Sequence, residues 1–201
     1  MSKVLYIKAT VKPEGQSRTV EISDKFIEEY KLRNPEDEII TLDLYNENID
    51  FLKGEDLGAV FGPKDEASKT HPILKYAYQF VEADKYVISA PMWNLSVPAI
   101  VKAYIDYVSV SGITFKYTEN GPVGMCQGKK AVYVVTRGGS YSEGPAAMFE
   151  MGERYLRTIF GFFGITDFTT IALDNLDVVG EDVDAIMESG LNQVEEIVKG
   201  F

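Results

Sequence analysis

The stretch KYVISAPMWNLSVPA, residues 85–99, decides the fold of this chain. It begins with an apolar run, Tyr86-Val87-Ile88, that is short enough to be a buried strand. A loop bracketed by Pro91 and Pro98 follows, and IVKAYIDYV at residues 100–108 then shows helical periodicity. Because proline fixes φ and biases the residue before it towards extended geometry, we expect this strand-to-helix corner to be stiff.

Strands and helices are predicted to alternate on both sides of this corner. Apolar or alternating runs predict strands at residues 4–7, 38–44, 85–89, 131–135 and 166–173. Periodic apolar residues predict helices at residues 17–32, 72–83, 99–112, 148–163 and 182–198. The chain is therefore expected to form one α/β domain over residues 1–201. Its architecture would be a doubly wound sheet of five parallel strands flanked by helices, with the third strand in the centre.

Two segments interrupt this alternation. Residues 45–71 contain three glycines and few regular patterns, and a loop of that length is usually functional or partly helical. Residues 114–123 predict a short extended excursion around an Asn120-Gly121 turn. Pro122 follows that turn directly, which argues against a regular hairpin.

Composition restricts the class of protein. The net charge of −11 leaves little basic surface for nucleic acid. No apolar run approaches the length of about 18 residues that a membrane span needs, and the apolar run between Lys3 and Lys8 is too short for a signal peptide. The only cysteine, Cys126, excludes an internal disulfide and is expected to be a packed, inert thiol. We expect a cytoplasmic protein that has neither nucleic acid nor membrane as a partner.

Three loops should meet where ligands bind in an open α/β sheet, at the carboxyl ends of the strands. They span residues 10–19, 91–98 and 136–141 and follow the first, third and fourth predicted strands. In the first loop, Ser17, Arg18 and Thr19 lie at a helix N-terminus, where free N–H groups and hydroxyls bind phosphate. The alternative is an ordinary serine N-cap beside a solvated arginine.

The other two loops have features that suit a flat polar ligand. Trp93 would form an aromatic wall with Met92 beside it, and Asn94 would supply an amide; the alternative is a core tryptophan in a tight turn. Gly138 and Gly139 would let a ligand approach the backbone closely, or would serve only a turn. Arg137 is expected either to be solvated or to face an anion.

Catalysis by side chains alone is poorly supported. No G-x-G-x-x-G or phosphate-loop motif follows the first strand, and no G-x-S-x-G elbow is present. With His71 as the only histidine, neither a Cys/His pair nor a zinc site has its residues. A binding loop without a catalytic set suggests that a cofactor carries the chemistry.

Five segments resemble the FMN-dependent NADH:quinone oxidoreductase and azoreductase family, which has the flavodoxin-like fold. They are KVLYIK at 3–8, SRT at 17–19, APMWN at 90–94, TFKYTENGP at 114–122 and FGFFGI at 160–165. The resemblance extends over essentially the whole chain. Its most specific part is the Pro-Met-Trp-Asn loop together with the Thr-Phe-x-Tyr-Thr segment.

The resemblance assigns roles to individual residues. It implies that Thr10, Ser17, Arg18 and Thr19 hold the phosphate of FMN, with either Gln16 or Thr19 completing the cradle. The isoalloxazine would be lined by Met92, Trp93, Asn94 and Leu95. Its pyrimidine side would be contacted by Thr136, Arg137, Gly138 and Gly139. No metal and no catalytic side chain are implied.

The resemblance also implies a homodimer with the flavin at the subunit interface. The reaction would be ping-pong: NADH or NADPH reduces FMN and leaves, and a quinone or an aromatic azo compound then accepts two electrons. Three other hypotheses stay open at this point. They are a flavin-binding electron carrier or redox-responsive protein, an acyl-carrier phosphodiesterase, and a structural α/β domain without a ligand.

Overall fold

The computed structural model describes residues 1–13 and 15–201, and these contain seven strands and six α-helices. The strands are β1 (Lys3–Lys8), β2 (Glu38–Asp43), β3 (Lys85–Ser89), β4 (Phe115–Thr118), β5 (Gly121–Gly124), β6 (Lys130–Thr136) and β7 (Asp167–Leu173). The helices are α1 (Arg18–Arg33), α2 (Leu57–Phe61), α3 (Leu74–Glu82), α4 (Ala99–Val108), α5 (Gly152–Phe162) and α6 (Val183–Ile197). Across the described residues, no helix combines the length and apolarity needed to cross a bilayer.

The main sheet has five parallel strands in the order β2-β1-β3-β6-β7. The predicted flavodoxin-like α/β architecture and the central place of β3 are therefore confirmed. Tyr6 on β1 lies opposite Val87 on β3, and Val87 lies opposite Val132 on β6. Because β3 is paired on both sides and covered on both faces, it needs no polar face, which explains its continuous apolar run.

Alternate residues of the strands face two separate cores. Leu5, Ile88 and Tyr133 belong to one core, which includes residues of α3, α4 and α5. Val4, Val87 and Val134 belong to the other, which includes residues of α1 and α6. The period of two along each strand thus sorts the helices into two layers. Because α1 follows β1 and α4 follows β3, the N-terminus of α1 and the turn before α4 lie at the carboxyl edge of the sheet.

Two predicted elements differ from the structure near α4. The helix ends at Val108 rather than near Gly112, because the Thr114 hydroxyl donates to the Val108 carbonyl at 2.6 Å and replaces the next helical turn. Strands β4 and β5 form a regular antiparallel pair in which Tyr117 lies opposite Pro122. The prediction that Pro122 prevents a hairpin is wrong. A proline is tolerated in such an edge strand where its missing N–H costs no ladder bond.

The predicted helix at residues 148–163 begins later than expected. A short 3₁₀ helix spans Pro145–Phe149, and α5 starts at Gly152. The Glu150 carboxylate accepts the N–H of Glu153 at 2.9 Å and sets this start. Met148 is therefore not part of an apolar helical face: it is 67% exposed. Within residues 45–71, α2 and two 3₁₀ turns confirm a partly helical segment.

Cys126 is fully buried, as predicted, and its N–H donates to the Phe163 carbonyl at 2.8 Å. Burial raises the pKa of its thiol, which disfavours the reactive thiolate. The expectation of a packed cysteine is confirmed, and its low reactivity stays a prediction.

Gly124 provides a test of how β5 packs on the end of α5. A Cβ at this position would lie 2.1 Å from the Phe163 carbonyl carbon and 2.2 Å from the Gly164 nitrogen, both backbone atoms. We expect Gly124→Ala to lower the free energy of unfolding in urea by about 1–3 kcal/mol. The matched control is Gly161→Ala in α5, where a Cβ meets nothing within 4 Å. It should leave stability unchanged or raise it by up to about 1 kcal/mol. Equal effects of the two substitutions would contradict this packing.

Candidate functional site

A pocket of about 180 Å³ opens at the carboxyl edge of the sheet, where the loops after β1, β3, β6 and β7 meet. It brings together most of the predicted site residues: Thr10, Ser17, Arg18, Thr19, Met92, Trp93, Thr136, Arg137 and Gly138. Asn94, Leu95 and Gly139 do not line it, and neither does Gln16. The loops at residues 10–19, 91–98 and 136–141 therefore converge as the topology requires.

One end of the pocket is the N-terminus of α1. Ser17 is the N-cap, and its Oγ accepts the N–H of Val20 at 3.4 Å. Thr19 is 1% exposed, and its Oγ1 lies 2.5 Å from Oγ1 of Thr136 on β6. Among the described residues, the N–H groups of Ser17 and Thr19 have no acceptor. Free N–H groups at the positive end of a helix, flanked by hydroxyls, form an anion-binding cradle.

A buried polar network fixes α1 beneath this cradle. The Tyr6 hydroxyl on β1 lies 2.6 Å from Ser23 Oγ on α1, and Ser23 Oγ donates to Ser89 Oγ on β3 at 2.7 Å. Tyr6 also donates to Asp24 at 2.6 Å. Burial, then the hydrogen bond to Asp24, raises the pKa of Tyr6, so its hydroxyl stays neutral and can donate. The helix that forms the cradle is thus hydrogen-bonded to both β1 and β3.

A tight turn carries Trp93 to the opposite end of the pocket. The N–H of Trp93 donates to the Ser96 carbonyl at 2.8 Å, and the reverse bond measures 3.0 Å. Asn94 and Leu95 between them have φ values of 48° and 70°, so this is a primed turn whose second residue is strained. Trp93 is 39% exposed, which excludes a core tryptophan. Its indole is available as an aromatic wall.

The Gly138-Gly139 loop continues the ladder between β6 and β7. The carbonyls of Gly138 and Gly139 accept the N–H groups of Asp177 and Asn175 at 3.0 and 3.1 Å. The N–H groups of the two glycines have no acceptor among the described residues and are the polar atoms left for a ligand. A Cβ on Gly138 would lie 2.7 Å from Asp177 Oδ2, so any larger residue here would require the exposed Asp177 side chain to shift.

Asp177 and Lys12 line the pocket although neither was singled out from the sequence. Arg18 donates to the Asp177 carboxylate at 3.1 Å and to the Leu176 carbonyl at 3.0 Å, and these bonds bridge α1 to the segment after β7. Ligands in an open α/β sheet bind beyond the carboxyl ends of its strands. Residues 174–177 follow β7 in the same way as the three predicted loops follow their strands. The sequence therefore contained a topological signal for Asp177.

The Arg137 side chain contradicts one of the two expectations for it. It is 2% exposed, so the prediction of a solvated arginine is wrong. Its guanidinium lies within 3.4 Å of carboxylate oxygens of Glu150, Glu153 and Asp174. Burial raises the pKa of Glu153, but hydrogen bonds from Arg157 and Thr170 and the charges of Arg157 and Arg137 give a net lowering. Both Nη atoms are thus paired with protein carboxylates, whereas the buried Nε has no hydrogen-bond partner among the described residues.

Comparison with known proteins agrees with this geometry. A family described as having a flavodoxin-like fold matches residues 2–198. A Clostridium perfringens protein named FMN-dependent NADH:quinone oxidoreductase is 67% identical over 201 residues, which is all of both chains. A Clostridium acetobutylicum protein, named FMN-dependent NADH:quinone oxidoreductase 2, is 66% identical over the same span.

The structure is also similar to solved structures of azoreductases. An azoreductase from Bacillus anthracis str. Sterne superposes with a TM-score of 0.90 at 36% identity and covers 100% of both chains. A Bacillus anthracis str. Ames Ancestor structure, an FMN-dependent NADH-azoreductase in complex with FMN, gives 0.88 at 26% identity and covers 99% of this chain and 98% of that one. This chain therefore belongs to the flavodoxin-like family that includes the FMN-dependent NADH:quinone oxidoreductases and azoreductases.

Proposed function

We propose that this protein is an FMN-dependent oxidoreductase that transfers two electrons from NADH to quinones and reductively cleaves aromatic azo compounds. The observation that carries the proposal is that one pocket is lined both by the anion cradle at residues 17–19 and by Trp93. Relatives named for this activity at 67% and 66% identity over the full chain support it.

The residues present fit FMN. The Ser17 and Thr19 hydroxyls and the N–H groups of the α1 N-terminus suit a phosphate, and Thr19 rather than Gln16 lines the pocket. Trp93 and Met92 offer an aromatic and a polarisable surface to a flat ring. The N–H groups of Gly138 and Gly139 suit the polar edge of that ring, because they have no acceptor among the described residues. The carbonyls of the two glycines already accept hydrogen bonds from Asp177 and Asn175.

When bound, FMN would supply the redox chemistry: acceptance of a hydride from the nicotinamide nucleotide, then donation of two electrons to the acceptor. One such cycle reduces a quinone to its hydroquinone, whereas cleavage of an azo bond to two amines takes four electrons and four protons and therefore two cycles with two molecules of NADH. The protein supplies position. The cradle anchors the phosphate end, and the Trp93–Ser96 turn and the Gly138-Gly139 loop orient the ring. The glycine N–H groups would stabilise negative charge at the ring edge. A stacking surface with few directional polar groups favours a broad range of acceptors.

A homodimer would complete the site. The pocket volume of about 180 Å³ is below the roughly 300–1,000 Å³ of sites that enclose a ligand, so part of the ring would lie outside it. Exposed apolar side chains lie on one side of this opening. The Met151 N–H donates to the Leu95 carbonyl, and this bond places residues 148–151 beside the Trp93 turn. The side chains are Trp93, Leu95, Met148, Phe149 and Met151. A second copy seated here would cover them and the ring.

We also propose that the protein works in the cytoplasm. The lone cysteine, which is buried and unpaired, supports a reducing compartment.

The first test is turnover by purified protein of known flavin content. With FMN, NADH oxidation should proceed with menadione and with methyl red as acceptors, and NADH should be used better than NADPH. Flavin binding without NADH oxidation would support the electron carrier instead. Failure of FMN to bind, seen as an unchanged melting temperature, would support a ligand-free domain.

The cradle predicts a phosphate-specific effect. Ser17→Ala and Thr19→Val should each raise the Kd for FMN roughly tenfold or more, because a hydrogen bond to a charged group is worth about 1.5–3 kcal/mol. Riboflavin, which lacks the phosphate, should bind as it does to the wild type. The matched control is Thr158→Val, whose hydroxyl is used by the Arg154 carbonyl on α5. Equal loss for both flavins would contradict a phosphate at residues 17–19.

If the protein is a dimer, light scattering should give a mass near twice that of the chain. Formation of the dimer should depend on the exposed apolar side chains beside the Trp93 turn. Met148→Lys and Phe149→Lys place charges on that surface and should shift the mass towards the monomer. Leu32→Lys is the control, because Leu32 is 74% exposed on α1, which packs on the other face of the sheet. A wild-type monomer at micromolar concentration, or equal effects of all three, would contradict the proposed interface.

A further inference from the structure

Arg137 is buried although it carries a charge, and burying a charge is costly unless it is paired. Its Nη2 lies 3.4 Å from Glu150 Oε1 and 3.4 Å from Glu153 Oε2. Its Nη1 lies 3.3 Å from Asp174 Oδ1 and donates to Ser142 Oγ at 3.0 Å. One guanidinium therefore joins partners that come from three separate segments of the chain.

The Asp174 and Ser142 contacts secure the loop after β6. Asp174 follows β7, and its Oδ2 accepts the N–H groups of Tyr141 at 2.8 Å and of Ser142 at 2.6 Å. Arg137 itself lies immediately before Gly138, and its own N–H donates to the Leu173 carbonyl at 2.8 Å. The two glycines are thus held from both sides by a network that centres on Arg137.

The Glu150 contact leads to the opposite wall of the pocket. Glu150 directly precedes Met151, whose N–H donates to the Leu95 carbonyl at 2.9 Å within the Trp93 turn. Gly152 packs so closely on that turn that a Cβ would lie 3.2 Å from the Ser96 carbonyl carbon and 3.3 Å from the Val97 nitrogen. The junction at residues 150–152, where α5 begins, therefore supports the Trp93 turn.

We propose that Arg137 is a positioning residue that fixes the Gly138-Gly139 loop and the Trp93 turn relative to each other. The path runs from the Arg137 guanidinium through Glu150 and Met151 to Leu95. The inference rests on the proposed flavin site, because those two elements are the walls that would flank the ring. The guanidinium acts through these contacts, because both of its Nη atoms face protein carboxylates.

This role predicts which part of the flavin is affected when the network is weakened. Arg137→Lys keeps the charge, but one ammonium group cannot reach all of the carboxylates. Glu150→Gln removes the ion pair and keeps the side-chain size and an oxygen that can accept the Glu153 N–H. Neither change touches the cradle at residues 17–19. The ring end of the site should therefore loosen while the phosphate end is preserved.

The experiment titrates the apoprotein of each variant with FMN and with riboflavin at 25 °C and records its melting temperature. Arg137→Lys and Glu150→Gln should weaken both flavins by the same factor, at least tenfold, so that the ratio of the two Kd values equals that of the wild type. Glu29→Gln is the matched control: Glu29 pairs with Lys25 and Arg33 on the surface of α1, away from the pocket. It should bind both flavins normally.

Ser142→Ala is the mild variant that keeps the test decisive if the other two do not fold, because Ser142 is exposed. It should weaken both flavins about threefold. Variants that melt well above 25 °C and bind both flavins within twofold of the wild type would show a purely structural Arg137 and overturn the inference. Loss of FMN binding alone would overturn it too. If wild-type protein binds neither flavin, the proposed function itself fails.

Discussion

The parallel pairing of β3 with β1 on one side and β6 on the other is the constraint on which the site depends. The hydrogen-bond ladder does not stop where these strands end. Ala90 donates to the Val134 carbonyl at 3.2 Å and Met92 to the Thr136 carbonyl at 3.1 Å, while Arg137 donates to Leu173. The first residues of the loops are therefore held with the regularity of a sheet. Binding groups placed there inherit the rigidity of the core.

Side-chain polar networks extend that rigidity to residues beyond the ladder. On the α1 face, the hydroxyls of Tyr6, Ser23 and Ser89 join the helix to β1 and β3 beneath the anion cradle. On the α5 face, Arg137 joins β6 to Asp174 after β7 and to Glu150 before the helix. Each network lies under one end of the pocket. Hydrogen bonds and ion pairs among buried polar groups favour a single arrangement of the loops around them.

Sequence reasoning succeeded where local pattern and topology agree. The apolar run of β3, the Ser17 N-cap and the convergence of three loops all followed from periodicity, capping preference and the rule for parallel sheets. It failed where contacts between residues distant in sequence determine the structure. The burial of Arg137 depends on Glu150, Glu153 and Asp174, whose proximity no local pattern reveals. The late start of α5 depends on the Glu150 carboxylate in the same network.

The turn at Trp93 shows the same division. Two prolines and an apolar flank predicted a strand-to-helix corner, and the structure has one between β3 and α4. The positive φ values of Asn94 and Leu95 were not predictable, because leucine rarely adopts that conformation. Met151, the N-cap of α5, stabilises it by donating its N–H to the Leu95 carbonyl. The unusual backbone of the turn is therefore a consequence of tertiary contacts, and it coincides with the wall of the pocket.

The central claim is that the loops at the carboxyl edge of β1, β3 and β6 form one flavin site. A crystal structure of the protein with FMN tests it most directly. The account predicts the phosphate against the N-terminus of α1 at residues 17–19, with the ring between Trp93 and the Gly138-Gly139 loop. A phosphate bound elsewhere, or a ring that contacts neither Trp93 nor the two glycines, would contradict it.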